Sequence, residues 1–406
     1  MYARKRLDIG STDLLAGLLA CAGRFDERRE RERVEHALSP PSPGANGEAS
    51  QAIACLSVRS GLDLFLQEIA LPAGSEVLMS ALTIPDMWKI VERHGLVPVP
   101  VDVDPGTLAP TPERWRAAAS PRTRAVIVAH LFGARIPLEP VSKIARERGW
   151  FLLEDCAQSY TGDADKGSPL ADVSMFSFGP IKTATSLGGA LLRLRDGELL
   201  TRMRSAQETW PLFKGRAFVS RVARYAALKF LSGRVACRVF LAVLTRLGHD
   251  PDRVVNSAVR NFPGQELITQ LRHRPPTAML RLLARRLRTL RPDRLDRQAR
   301  LGRRLANRLA LVVECPGVAA AEHSFWVFPV CVRDSAPILT AVRAAGFDAS
   351  AGSQLRAVPT ADGSLQSTPN AARITTEAVF LPLYPELTEP AVDRLADILT
   401  SLRQNP

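Results

Sequence analysis

The sequence predicts an α/β fold built on a mostly parallel sheet. Two observations carry that prediction. Short apolar runs recur between residue 51 and about residue 200 (RAVIVAHLFG, WFLLED, DVSMFSFG, GGALLRLR), with turn residues or helical stretches between them. The runs are short and mainly apolar and are separated by helical stretches, which suits buried strands of a mostly parallel sheet.

The elements follow in order. The apolar run Leu14–Ala22 is too short to span a bilayer and leads straight into a charge-dense stretch. The N-terminus therefore reads as an arm or a surface helix, not a leader or an anchor. Residues 39–50, SPPSPGANGEAS, are a linker. In SGLDLFLQEIAL, Leu62, Phe65, Leu66 and Ile69 share one helical face. VPVPVDV reads as a strand, and PLEPVSKIARERG fits a helix joining two of the apolar runs. After about residue 214 the chain turns helical and basic. From about residue 310 it returns to mixed α/β, with SFWVFPVCV, a helix around PILTAVRAAG, and AVFLPLYPELTEPAVDRLADILTSL. The expected division is 1–50 (arm and linker), 51–213 (large α/β domain), 214–276 (basic helical insertion) and 277–406 (a long helix and a small C-terminal α/β domain).

Composition narrows the class. With 46% hydrophobic and 23% charged residues the chain is neither collagenous, nor a disulfide miniprotein, nor wholly disordered. The net charge of +13 is localised: Lys214–Arg308 holds 23 Lys/Arg and 5 Asp/Glu, hence +18, leaving −5 elsewhere. Six cysteines without C-x-x-C spacing point away from a zinc cluster or disulfide framework and suit the cytoplasm. No metal is expected.

The residues that carry chemistry lie between Phe151 and Leu192. One strand ends in Glu154-Asp155 with Gln158 just beyond, and the next ends in Phe176-Ser177-Phe178 with Lys182 in the following loop. Ligands of open α/β sheets bind at the carboxyl ends of strands. Asp155, Gln158, Ser177 and Lys182 are thus expected to converge. An amine that can add to an aldehyde, with a carboxylate that can keep a pyridine ring protonated, is the donor set for pyridoxal phosphate. A phosphate would sit at a helix N-terminus, for which Ser60-Gly61-Leu62 is the expected start.

These motifs resemble the DegT/StrS family of sugar-nucleotide aminotransferases, fold-type-I pyridoxal phosphate enzymes. The matching stretches are Ser60-Gly61-Leu62, GLVPVPVDVD, AHLFG around His130, Glu154-Asp155-Cys156-Ala157-Gln158, Phe176-Ser177-Phe178 with Lys182, and LPLYPEL. The resemblance implies the following roles. Lys182 is the Schiff-base lysine and proton shuttle. Asp155 meets the pyridinium nitrogen, and Gln158 the ring face or its phenolic oxygen. Ser177, Ser60 and the Gly61 and Leu62 amides hold the phosphate. It also implies a homodimer, glutamate or glutamine as amino donor, and a keto-sugar acceptor linked to a nucleotide. His130 is expected to support the sheet end. The family's dehydratases carry His at the position of Lys182, so a dehydratase is disfavoured. A non-catalytic binding or regulatory protein on the same fold is the other alternative.

Three positions depart from the family pattern. Its phosphate-side Thr is Leu62. The ring-stacking aromatic expected after Thr83 is Ile84, with Trp88 either a substitute or core. The downstream G-Y-N-x-R segment is absent, with Arg260 or Asn261 standing in for it. Arg356 and Arg373 are either substrate contacts or surface residues.

The basic segment has its own reading. At helical period, Arg216, Arg221, Arg224, Arg234, Arg238 and Arg246 fall on one arc, and Phe218, Val219, Val222, Phe230, Phe240 and Leu244 lie largely opposite. Lys229 sits off the arc. Two alternatives follow: a helix lying on an anionic membrane through residues 214–250, or one packed on its own domain with its arginines in solvent. Nucleic acid is not expected, because no helix-turn-helix or zinc-finger spacing is present.

Overall fold

A computed structural model describes residues 1–38, 51–162, 165–231, 267–360 and 363–404, with a few isolated residues between 232 and 266. The elements in chain order are α1 (Ser11–Ala22), α2 (Glu27–His36), β1 (Ala52–Cys55), α3 (Val58–Ile69), β2 (Glu76–Ser80), β3 (Leu82–Thr83), α4 (Pro85–Arg93), β4 (Val97–Val101), α5 (Pro112–Ala118), β5 (Thr123–Ala129), β6 (Ala134–Arg135), α6 (Glu139–Arg148), β7 (Phe151–Asp155), β8 (Val173–Ser177), β9 (Ala190–Leu194), α7 (Gly197–Glu208) and α8 (Gly215–Leu231). Then come α9 (Leu267–Leu271), α10 (Thr277–Arg288), α11 (Pro292–Leu309), β10 (Glu322–His323), β11 (Phe328–Cys331), α12 (Ala336–Ala344), β12 (Ser350–Ala351), β13 (Arg356–Ala357), α13 (Pro369–Glu377), β14 (Ala378–Leu381) and α14 (Glu389–Gln404).

The apolar runs form one seven-stranded sheet, ordered β1-β9-β8-β7-β5-β2-β4. From β4 to β8 the strands are parallel, and β9 and β1 turn the edge antiparallel. Successive side chains point to opposite faces. Val77, Met79, Ile127 and Leu153 pack on one face under α3 and α4, and Leu78, Val126, Val128 and Leu152 pack on the other under α5 and α6. The smaller sheet, β11-β14-β12, packs on α11, α12 and α14.

Gly61 lies where α3 crosses β9. A Cβ there would stand 2.4 Å from Leu192 Cδ1, and Leu192 is fully buried. Gly61→Ala is therefore expected to lower stability by about 1–3 kcal/mol through overpacking, despite the better helix propensity of Ala. A urea midpoint measures this.

The stretch expected as one long helix is two. Pro292 opens α11 at its first turn and leaves Thr289–Arg291 as the break. A proline lacks the N–H that would continue the ladder. Only α11 leads into the small domain, whereas α10 packs against α1 and α2.

The arm is anchored at both ends. Tyr2 pairs with Phe347 of the small domain, its ring stacked at 5.0 Å, and Arg4 bonds Asp348 at 2.8 Å. Further on, Asp13 receives Arg285 at 2.8 Å and Arg286 at 2.7 Å from α10.

Within the basic segment, Phe218, Val222 and Tyr225 are buried against α1 and α10. Arg221 corrects the expected arc. It points inward, donates to the Leu187 carbonyl at 3.3 Å, and lies over Phe213 at 5.2 Å. Val219 and Phe230, expected on the apolar side, are exposed. Arg234, Phe240, Leu244, Arg260 and Asn261 lie outside the described residues, as does the linker 39–50. Among the described residues no helix is long and apolar enough to cross a membrane.

Candidate active site

Glu154 and Asp155 end β7, Ser177 ends β8, and Lys182 sits in the loop after β8. They meet at the carboxyl ends of parallel strands, as predicted. The Asp155 carboxylate accepts the Ala157 N–H at 2.9 Å. Burial raises its pKa, outweighing that bond and the attraction of Lys182. Gln158 is pinned, its Oε1 accepting the Phe132 N–H at 3.0 Å.

Burial pulls the Lys182 ammonium down to about 8. Asp155 opposes this, and the positive charge of Arg59 adds to it. The amine lies 4.1 Å from the ring centroid of Trp326, whose indole N–H donates to the Ile181 carbonyl at 3.2 Å. Lys5 of the arm reaches the same ring at 4.6 Å and donates to the Trp326 carbonyl. Burial and the nearby Lys182 lower Lys5 to about 7, despite Asp8. Gly133, at φ +101°, lets this segment close on the site: a Cβ there would stand 2.6 Å from the Trp326 nitrogen.

The helix start is corrected. α3 begins three residues earlier than expected, with Ser57 as its N-cap and the Ser57 hydroxyl accepting the Ser60 N–H at 3.2 Å. The Gly61 N–H already donates to the Ser57 carbonyl at 3.0 Å, and Leu62 lies deeper in the helix. Neither amide faces outward for an anion. The Ser60 side chain is fully buried, 3.0 Å from the Ser57 hydroxyl. The helix opens at Ser57-Val58-Arg59, with Ser57 and Arg59 partly buried and Val58 buried, where the first-turn amides precede the helical ladder. Arg59 pairs with Asp86 of α4.

His130 is buried beneath the site. Its Nε2 bonds Glu154 at 2.8 Å and its Nδ1 accepts the Ile136 N–H at 3.0 Å. That is the supporting role expected. Burial alone would raise Glu154, but His130, the Ser168 N–H and Ser174 hold its carboxyl at about 2. His130, Glu154 and Cys156 offer ligand atoms within 4.8 Å of one another. The His130–Glu154 bond occupies that pair, and burial drives the Cys156 thiol well up.

Trp88 is core, buried with Leu62 and Val91, and partly buried Ile84 caps α4. Arg373 pairs with Glu314 at 2.6 Å, and exposed Arg356 bonds the Ser353 carbonyl at 2.7 Å. Both behave as surface residues.

Ser57 and Arg59 were missed; the signal for Ser57 was a second Ser three residues before Ser60, with Arg59 in the turn it opens. Trp326 and Lys5 carried no local signal.

Residues 45–217 match the sequence model of the DegT/DnrJ/EryC1/StrS aminotransferase family. Over 147 residues the chain is 36% identical to the L-glutamine:2-deoxy-scyllo-inosose aminotransferase of Streptomyces fradiae, covering 36% of this chain and 34% of the relative. Over 155 residues it is 32% identical to the GDP-perosamine synthase of Caulobacter vibrioides, covering 38% and 42%. The chain thus spans less than half the length of these curated relatives. Among solved structures, the aminotransferase TlmJ from Streptoalloteichus hindustanus superposes with a TM-score of 0.69 at 22% identity, over 97% of this chain and 96% of that one. The chain therefore shares the fold of that aminotransferase.

The donor set fits pyridoxal phosphate. A buried amine held near neutrality is a competent nucleophile. A carboxylic acid raised by burial is one that a cationic ring nitrogen would keep ionised. A helix end bearing an arginine suits a phosphate.

Proposed function

We propose that this chain is a pyridoxal phosphate-dependent aminotransferase that moves an amino group from glutamate or glutamine to a nucleotide-linked keto-sugar, a nucleotide being named for one of its two cited relatives. The observation that carries this reading is that Asp155 and Arg59, from two different elements, both lie close enough to the Lys182 amine for their charges to act on it. When bound, the cofactor supplies an aldehyde and an electron-drawing ring.

The chain's own residues do the rest. The Lys182 Nζ would bind the cofactor and, once released, would take or return the proton at the amino-bearing carbon of whichever substrate is bound. Asp155 holds the ring nitrogen protonated, and Gln158, fixed by Phe132, orients the ring. Ser177, Arg59 and the first-turn amides of α3 receive the phosphate. Trp326 covers the amine and keeps water from it. The working unit is a homodimer in the cytoplasm, and the basic segment 214–250 meets an anionic membrane.

Incubation of the pure protein with pyridoxal phosphate, glutamine or glutamate and a panel of keto-sugars tests the reaction. The expected result is an amino sugar and a 2-oxo acid by mass spectrometry. A protein that takes up no cofactor would refute the reading. Arg59→Met is expected to weaken cofactor binding by roughly 10-fold or more, as loss of a charged hydrogen-bond partner does. Fluorescence titration of the apoprotein measures it.

A further inference from the structure

The large apolar side chains left exposed among the described residues are not scattered. Of twelve, four lie in residues 15–25 and five in residues 212–243. Five of these sit on α1 and α8, which pack side by side. The inner face of α1 is spent: Gly17 is wedged against Leu282 and Val222, and Leu14 is buried. Its outer face carries Leu15 at 57%, Leu18 at 37% and Leu19 at 64% exposure, an i, i+3, i+4 stripe. On α8, Val219 and Phe230 point outward, Phe230 at 77% exposure, with exposed Arg216 and Arg224 on the same helix. Residues 209–249 hold eight Lys/Arg and no Asp/Glu.

We infer that the outer faces of α1 and α8 together form a peripheral docking surface for an anionic lipid bilayer. The leucines enter the headgroup boundary and the arginines meet lipid phosphates. Of the residues the helical period suggested, Arg216, Arg224, Val219 and Phe230 stay on this surface, whereas Phe218, Val222 and Arg221 are used inside the protein. It also makes α1, outside the basic segment, half of the surface. Charge selects lipid over a second copy. A two-fold contact sets the same patch against itself, which would bring these arginines against arginines with no acid on α8 to answer them. The surface is independent of the chemistry at Lys182.

Vesicle flotation with the full chain tests this, using phosphatidylcholine alone and mixed with phosphatidylglycerol. The protein is expected to bind the anionic vesicles and to be released by salt as screening shortens. Leu18→Asp with Leu19→Asp should abolish binding. Arg216→Gln with Arg224→Gln should weaken it roughly 25-fold, about five-fold for each arginine. Both pairs lie on the surface, so melting temperature and turnover should stay as in the parent. Failure of the parent chain to float with anionic vesicles would overturn the inference. So would binding that neither pair alters. Light scattering adds a third decisive outcome: if the leucine pair lowers the particle mass and leaves vesicle binding untouched, the face belongs to a contact between copies.

Discussion

Lys182→Ala is expected to abolish amino transfer, with turnover falling by roughly 10⁴-fold or more, because one side chain supplies both the covalent tether and the proton carrier. The loss should not come from misfolding. The loop is held by its backbone: the Lys182 N–H donates to the Gly179 carbonyl at 3.0 Å, and the Ser186 and Gly188 amides reach the Phe178 carbonyl at 3.1 Å. The Ala184 N–H is held by Asp8 of the arm at 2.7 Å. None of these bonds uses the Lys182 side chain. Circular dichroism and melting should therefore match the parent. The decisive reading is physical. After borohydride treatment and denaturation, the parent should keep one cofactor mass on the peptide containing residue 182, and the variant none. Full turnover in the variant, or a label on another lysine such as Lys5, would remove Lys182 from its role.

The sheet and its order along the chain were legible because each buried strand is a short apolar run with turn residues on either side. Asp155, Gln158, Ser177 and Lys182 were legible for the same reason, since a strand's end and the loop beyond it are local features. The phosphate end of α3 was misplaced because two serines three residues apart, Ser57 and Ser60, are both acceptable caps. What chose Ser57 is tertiary: Gly61 must lie deep enough in the helix to clear Leu192. Trp326 and Lys5 were illegible because their partners are far away in sequence. Lys5 bonds a carbonyl 321 residues on, and Trp326 one 145 residues back. The inward turn of Arg221 was missed because helical period gives the angle of a side chain but not which neighbour covers it. The break before Pro292 was readable and was passed over, because leucine spacing continues through it.

The same strand end gives the largest expected effect on stability. Glu154 lies 1% exposed directly before Asp155 in β7. It accepts from His130 at 2.8 Å, from the Ser168 N–H at 2.8 Å and from Ser174 at 2.7 Å. Its folded pKa is about 2 against an ordinary 4.5, so the group stabilises the fold when ionised. The stabilisation is fully present above about pH 4.5 and drains away as pH falls through about 2. The shift corresponds to about 3 kcal/mol. Glu154→Gln should therefore cost about that much at pH 7, since its amide also turns donors toward donors. The cost should shrink as the pH falls from about 4.5 toward 2, because the carboxyl of the unfolded parent protonates in that range while the folded one stays ionised. Urea midpoints of parent and variant at pH 7 and pH 3 measure this. A gap that stays constant across that range would mean that packing, not the charge of Glu154, holds this end of the sheet. A second consequence follows from position. Asp155 and Glu154 are adjacent on one strand, and His130 donates its backbone N–H to the Asp155 carbonyl at 3.1 Å. Loosening Glu154 should therefore shift the carboxylate proposed to face the cofactor and weaken cofactor binding even at neutral pH, where the protein remains folded.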